Sequence, residues 1–152
     1  MMIEIFGGDG YDADLQAIQS HPIYETYDVD LIGVFLEQIA TSEDASWKLK
    51  EWSASSSNPH FNVSAIASLQ QSGYNLYRLR PLSKKLKKYR ILYAYNGRSD
   101  EVYLLAVVIK KMNTKAGEPT PAGDEYYDYE RTHRVTLRVL REYDQLALPK
   151  CH

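Results

Sequence analysis

Residues 77–111 read YRLRPLSKKLKKYRILYAYNGRSDEVYLLAVVIKK. Two runs within this stretch, Tyr89 to Tyr95 and Glu101 to Ile109, are rich in aromatic and β-branched residues and flank Asn96-Gly97-Arg98-Ser99-Asp100. A short polar loop carrying Asn-Gly between two apolar runs predicts a β-hairpin. The second run, VYLLAVVI, is apolar at nearly every position, which predicts a central strand covered on both faces. A third strand is expected over Tyr74 to Leu82, with Pro81 at its end or on an edge, because proline cannot donate to a ladder.

The same stretch gathers the positive charge. From Arg78 to Lys111 ten Lys or Arg stand against two acids, about +8, whereas residues 1–77 carry about −9 and residues 112–152 about −1. The net charge of −2 therefore hides a basic centre, and such a field attracts polyanions, among them nucleic-acid phosphates. Ser83-Lys84-Lys85-Leu86-Lys87-Lys88 on its own reads equally well as a solvated loop. The placing of the other cations says more. Arg78 and Arg80 are i, i+2 on a strand and emerge on one face. Arg90 opens the next strand, and Lys110-Lys111 ends the last. Like charges on adjacent strands repel, so their gathering points to an anion held between them.

These residues resemble a known family. An Arg-x-Arg strand (Arg78, Arg80), a Tyr-Arg-Ile-x-Tyr strand (Tyr89 to Tyr93), a hairpin, and an apolar strand ending in Lys-Lys (Leu104 to Lys111) follow one another as in the RelE/ParE toxin superfamily. The likeness is strongest to its HigB-like, phage-derived branch. It covers about residues 77–111 and extends loosely over 124–143, and the order of the pieces carries it. The resemblance implies an α+β fold in which N-terminal helices pack on one face of a small, twisted antiparallel sheet, with a helix at the C-terminal end, all in a single domain over 1–152.

It also implies the toxin component of a toxin–antitoxin system: a metal-independent endoribonuclease that cleaves messenger RNA on the ribosome and needs no cofactor. In that chemistry the RNA 2′-hydroxyl attacks the adjacent phosphorus, leaving a 2′,3′-cyclic phosphate and a 5′-hydroxyl. Arg90 would hold the scissile phosphate through its bidentate fork, with Arg78 and Arg80 at the family's basic pair and Lys111 or Lys110 opposing the developing charge. His133 is the candidate proton-transfer group, since an unperturbed imidazole titrates near pH 6.5, and Tyr127 is its alternative. Lys84, Lys85, Lys87 and Lys88 would clasp the RNA backbone. The implied partners are a cognate antitoxin, a small DNA-binding protein, and messenger RNA with the ribosome. Two departures stand out. Some family nucleases carry lysines where Arg78 and Arg80 stand, and arginine essentially cannot lose its proton. Residues 112–123 read as an insertion. A non-enzymatic gyrase inhibitor of the ParE kind, or a non-toxic binding module, fits the same pattern.

The remainder reads as support. The 152 residues, 44% apolar and 25% charged, suit one domain. No run of 18 apolar residues occurs and Cys151 is the only cysteine, so no membrane span, internal disulfide or cysteine-based metal cluster is expected, and a cytoplasmic location is. Met2 to Phe6 predicts a short strand, closed by Gly7-Gly8-Asp9-Gly10. That glycine cluster lacks the Gly-Lys-[Ser/Thr] of a phosphate loop, and Asp9 and Asp12 would repel phosphate, so a turn is the better account. Asp12 or Asp14 would cap a helix through Ile18. Leu31, Phe35 and Ile39 give an apolar stripe after Asp28 or Asp30. Thr41 to Asp44 reads as a new cap before Ala45, Leu49 and Trp52. Residues 53–59 are a loop, His60 reads as structural, and 62–73 suits either an extended connection or a helical turn. Asp124 would cap a final helix carrying Val135, Val139 and Tyr143. Residues 135–139 also alternate as a strand does, but their charged flanks run past strand length, which favours helix.

Overall fold

The computed structural model describes residues 3–20, 27–51, 60–109 and 127–150. In chain order these form β1 (Glu4–Gly7), α1 (Asp9–Ser20), α2 (Tyr27–Ala40), α3 (Glu43–Trp47), a 3₁₀ turn (Lys48–Lys50), β2 (Phe61–Ala65), α4 (Ala67–Gln70), β3 (Leu76–Pro81), β4 (Tyr89–Asn96), β5 (Glu101–Ile109) and α5 (Arg134–Gln145). The strands make one open sheet in the order β1-β5-β4-β3-β2.

The Asn-Gly hairpin forms where the sequence places it. β4 and β5 pair antiparallel from Asn96↔Glu101 to Tyr89↔Ile109, and the loop closes through Asp100 at φ 53, a left-handed conformation that aspartate tolerates. Pro81 ends β3, opposite Phe61. β5 is covered on both sides, aided by a bulge. Leu92 pairs with Ala106 but Tyr93 pairs with Leu104, so Leu105 is an extra residue in the ladder. Val102, Leu104 and Val107 then face one core, and Leu105, Ala106 and Val108 face the other.

Each core has its own helices. Tyr11 and Ile18 of α1, Ile32, Leu36 and Ile39 of α2, and Leu49 close over Leu79, Tyr89, Ile91 and Tyr93. On the opposite face, Val135, Val139, Leu140 and Tyr143 of α5 close over Leu92, Ala94, Leu105 and Ala106. A Val or Leu side chain buried in this way contributes about 1.5–3 kcal/mol. Buried polar ends are satisfied locally: Tyr93 donates to the Leu49 carbonyl at 2.6 Å, and Tyr89 donates to Asp28 at 2.8 Å.

Several sequence expectations need correction. The sheet is mixed, because β1 lies parallel to β5 over Glu4↔Glu101 to Gly7↔Leu104; α1, α2, α3 and the 3₁₀ turn lie between β1 and β2, so β1 joins the sheet beside the last strand rather than in a hairpin. The helices are divided between the faces, with α5 and, through Leu69, the short α4 on the second. α1 starts at Asp9, before Asp12 and Asp14, because its first N–H groups are capped from far away: Glu142 of α5 accepts from Asp9 and Gly10, each at 3.1 Å. In α2 the inward stripe is Asp28, Ile32, Leu36 and Ile39. The bond from Tyr89 to Asp28 fixes that roll and leaves Leu31 and Phe35 on the flank of the core. The last helix is capped by His133 rather than Asp124, which with Trp52 and the 53–59 and 112–123 loops lies outside the described residues. Residues 135–139 are helical. Both readings of 62–73 were partly right, since β2 is followed directly by the helical turn α4.

The Gly8–Gly10 turn is a close-approach device. A Cβ on Gly10 would stand 2.8 Å from the Leu105 carbonyl and 2.9 Å from Arg138 Nε, and one on Gly8 would stand 2.2 Å from Glu142 Oε2. Room is needed because Asp14, Arg138 and Glu142 all meet there. Arg138 grips Asp14 with bonds of 2.8 and 2.7 Å, and Asp14 Oδ2 also accepts from the Val107 N–H at 2.8 Å. Arg138 is consequently held above the ordinary guanidinium range: its burial opposes the shift, and Asp14 with Glu142 outweighs it.

Replacing Glu142 by Ala is expected to cost about 1–2 kcal/mol in urea denaturation, the size of a lost helix cap. Arg138→Ala should cost about 1.5–3 kcal/mol, as a charge-assisted pair at partial burial does. Asp12→Ala, on an exposed position of α1, should stay within about 0.5 kcal/mol of wild type.

Candidate anion-binding site

The second face of the sheet is only partly roofed. α5 lies over β5 and the adjoining part of β4, and the short α4 adds Leu69 beside Leu76 at the start of β3, so among the described residues the rest of β2 and β3 on this face has no long helix over it. Alternation along the strands decides what stands there. Phe61, Val63, Leu79 and Ile91 point into the first core, so Asn62, Ser64, Arg78, Arg80 and Arg90 point the other way. Arg78 lies between Ser64 and Leu92 in the ladder and Arg80 beside Asn62, and the Leu79↔Ile91 pair brings Arg80 next to Arg90. The three arginines expected to meet are therefore on one face of adjacent strands.

Their environments differ. Arg90 is 5% exposed, and its Nη1 donates to the Lys87 carbonyl at 2.7 Å and to its own neighbour Tyr89 at 2.9 Å. One arm of its fork is thus spent on the β3–β4 loop. Burial lowers its pKa; Tyr129 opposes this, while the nearby Arg80 and Arg78 lower it further. Arg78 and Arg80 are half-buried, and among the described residues Arg78 Nη1 and Arg80 Nε are buried without a hydrogen-bond acceptor. A buried donor without a partner costs about 1–3 kcal/mol, more when charged. The buried donors of the face that lack an acceptor among the described residues therefore belong to Arg78 and Arg80, while Arg90 is bonded to the β3–β4 loop.

Tyr129 completes the cluster. It lies at φ 62, a strained conformation for an aromatic residue, and its ring meets Tyr127 edge-on at 5.1 Å. Burial raises its hydroxyl pKa, and the charges of Arg78 and Arg90 draw it down. Beside Tyr129 and Arg78 a cleft of about 210 Å³ opens, walled by Ala65, Ile66, Ala67 and Ser68.

The other predicted residues are placed as follows. Tyr127 continues the sheet by donating to the Ile109 carbonyl at 3.0 Å. Its hydroxyl is buried and bonded to Thr136 at 2.7 Å; burial pushes its pKa up to about 12, against the Thr136 bond. His133 is the N-cap of α5, its Nδ1 accepting from the Val135 N–H at 3.1 Å. That bond commits Nδ1 to capping the helix. Lys85 bonds the Tyr27 hydroxyl, and Lys88 pairs with Asp28 at 3.5 Å, so both reach toward the start of α2 on the first-core side. Lys84 and Lys87 are exposed. Lys110 and Lys111 lie outside the described residues.

Asn62 and Ser64 were not singled out from the sequence, and Tyr129 was one of several aromatic candidates there, with its neighbour Tyr127 preferred. Tyr129 sits in an irregular segment where periodicity gives no direction, and the two polar residues of β2 are visible as a face only once that strand is known. No helix among the described residues is long and apolar enough to cross a membrane, and no group of three or more His, Cys, Asp or Glu there could hold a metal. No protein-family model matches this chain, and no curated protein and no solved structure matches it.

The stabilisation from keeping Tyr127 protonated is complete below the free tyrosine value near pH 10 and is lost as the pH rises to about 12. Tyr127→Phe is expected to lower stability by about 1 kcal/mol at neutral pH, since Thr136 loses its partner. It should also flatten the fall in the urea midpoint between about pH 10 and about pH 12.

Proposed function

We propose that this chain is a metal-independent endoribonuclease of the toxin type, acting on messenger RNA and restrained by a cognate antitoxin. The observation that carries the reading is the pair of half-buried arginines, Arg78 and Arg80, each with a buried donor that finds no acceptor among the described residues, on a basic, partly unroofed sheet face. Proteins retain such uncompensated cations where an anion is to be bound. A phosphodiester supplies the missing acceptors, and the planar forks suit its non-bridging oxygens.

In the reaction the ribose 2′-oxygen bonds to phosphorus as its proton passes to solvent, and the P–O5′ bond breaks. The leaving 5′-oxygen takes a proton from Tyr129, which is regenerated from water; burial keeps that hydroxyl protonated at neutral pH. Arg78 and Arg80 stabilise the phosphorane charge, the largest contribution such a site can make. Arg90 braces them through the carbonyls of Lys87 and Tyr89. Exposed Lys84 and Lys87 extend the cationic path.

A second reading, a binding module of the ParE kind without chemistry, is favoured by one observation. The Tyr127 hydroxyl and His133 Nδ1 are both committed to internal bonds.

Expression of wild type is expected to arrest growth and to produce new messenger-RNA 5′-hydroxyl ends. Arg78→Ala should abolish both, with cleavage reduced at least about 100-fold, while the denaturation midpoint holds or rises because a repelled cation has gone. Arrest without new 5′ ends would establish the binding module instead, and no arrest would overturn the toxin reading. Arg78→Ala and Arg80→Ala should each lower the salt dependence of RNA binding by about one unit of slope.

A further inference from the structure

We propose that the cleft between the β2–α4 turn and Tyr129 is a nucleobase pocket. It takes one unstacked base of a single-stranded RNA while the adjoining phosphate lies on Arg78. This rests on the nucleic-acid reading of the arginine face and names what else that face holds.

The cleft encloses about 210 Å³ and has two unlike walls. Arg78 and Tyr129 form one. The other comes from Ala65, Ile66, Ala67 and Ser68, where the chain leaves β2 and turns into α4. The volume is below the roughly 300–1,000 Å³ of pockets for drug-sized ligands and suits a single planar ring system. A bare phosphate would use only the Arg78 end. Ala65, Ile66 and Ala67 offer it no cationic side chain, so the apolar half is built for something uncharged attached to the anion.

A base has that character: an apolar face, a polar edge, and a phosphate one sugar away. A base paired in a duplex cannot enter a cleft of this size, so the pocket selects single strands. Its small side chains are what keep it open. Alanine at 65 and 67 and serine at 68 leave the room, and the backbone there is firmly set, with the Ile66 N–H donating to the Leu76 carbonyl and the Leu69 and Gln70 N–H groups donating to the Ile66 carbonyl. A rigid wall of fixed width distinguishes bases by shape.

The test is calorimetric binding of the full chain to uridine and adenosine 3′,5′-bisphosphates, to ribose 3,5-bisphosphate, and to inorganic phosphate. In wild type at least one nucleoside bisphosphate should bind about fivefold or more tighter than the ribose compound, the contribution of one stacked base. Ala67→Phe, a substitution at an exposed position, plugs the cleft and should erase that advantage while leaving ribose bisphosphate affinity unchanged. Ser68→Phe, at the next exposed position, repeats the test should Ala67→Phe misfold, with folding checked by thermal melting. Arg78→Ala should weaken all four ligands.

The proposal is overturned if the nucleosides bind no tighter than the ribose compound, or if their advantage survives both plugging variants. A base-dependent advantage with no RNA cleavage keeps the pocket and removes the nuclease. Cleavage without any such advantage does the reverse.

Discussion

Beyond Leu104 the outer edge of β5 has no strand beside it among the described residues, and the way the chain satisfies that edge governs the arrangement of α1 and α5. β1 pairs only with Glu101 to Leu104. The next N–H on that side, at Val107, is taken by the Asp14 carboxylate, so α1 must lie along the edge where β1 leaves off. Arg138 holds that carboxylate from the other side of the sheet, and Glu142, one helical turn on, caps α1. An edge that would otherwise invite pairing with another chain becomes the seam joining the two cores.

The position of α5 follows from that seam, and the candidate site follows from the position of α5. Anchored at the β5 edge by Arg138 and Glu142, the helix covers the near half of the second face with Val135, Val139, Leu140 and Tyr143. Among the described residues it does not extend over the far half, where α4 and Tyr129 stand beside Arg78. On that half the strand alternation places the half-buried Asn62, Ser64, Arg78 and Arg80 and the buried Arg90, while the opposite side of the same strands is sealed by α1 and α2. The acidic N-terminal third thus lies behind the sheet from the arginines. The exceptions are Lys85 and Lys88, which reach back to Tyr27 and Asp28 and tie the loop after β3 to the start of α2.

Local signals were legible in the sequence and distant ones were not. Asn96-Gly97 announced the hairpin because a turn is decided by the residues in it. Arg78 and Arg80 could be placed on one face because the period of a strand is fixed. Ser42 was readable as a cap, and it accepts from Ala45 at 3.1 Å. The start of α1 was misplaced because its cap, Glu142, is more than 130 residues away. The inward stripe of α2 was read one residue off because Leu31, Phe35 and Ile32, Leu36 are overlapping apolar rows, and only the Tyr89–Asp28 bond chooses between them. Within the site, the direction of the Arg90 fork and the backbone of Tyr129 depend on neighbouring carbonyls and a left-handed residue that no periodicity encodes.

The pairing of the first strand with the last has a consequence in time. During synthesis β1 and α1 emerge from the ribosome about a hundred residues before β5 gives them an edge, and the Glu142 cap follows later still. The β3–β4–β5 meander consists of near neighbours and closes small loops, whereas β1 must wait and then close a large one. The N-terminal helices are therefore translated first and locked last, and the arginine face is laid out on β3 and β4 before the seam that holds both ends of the chain is sealed.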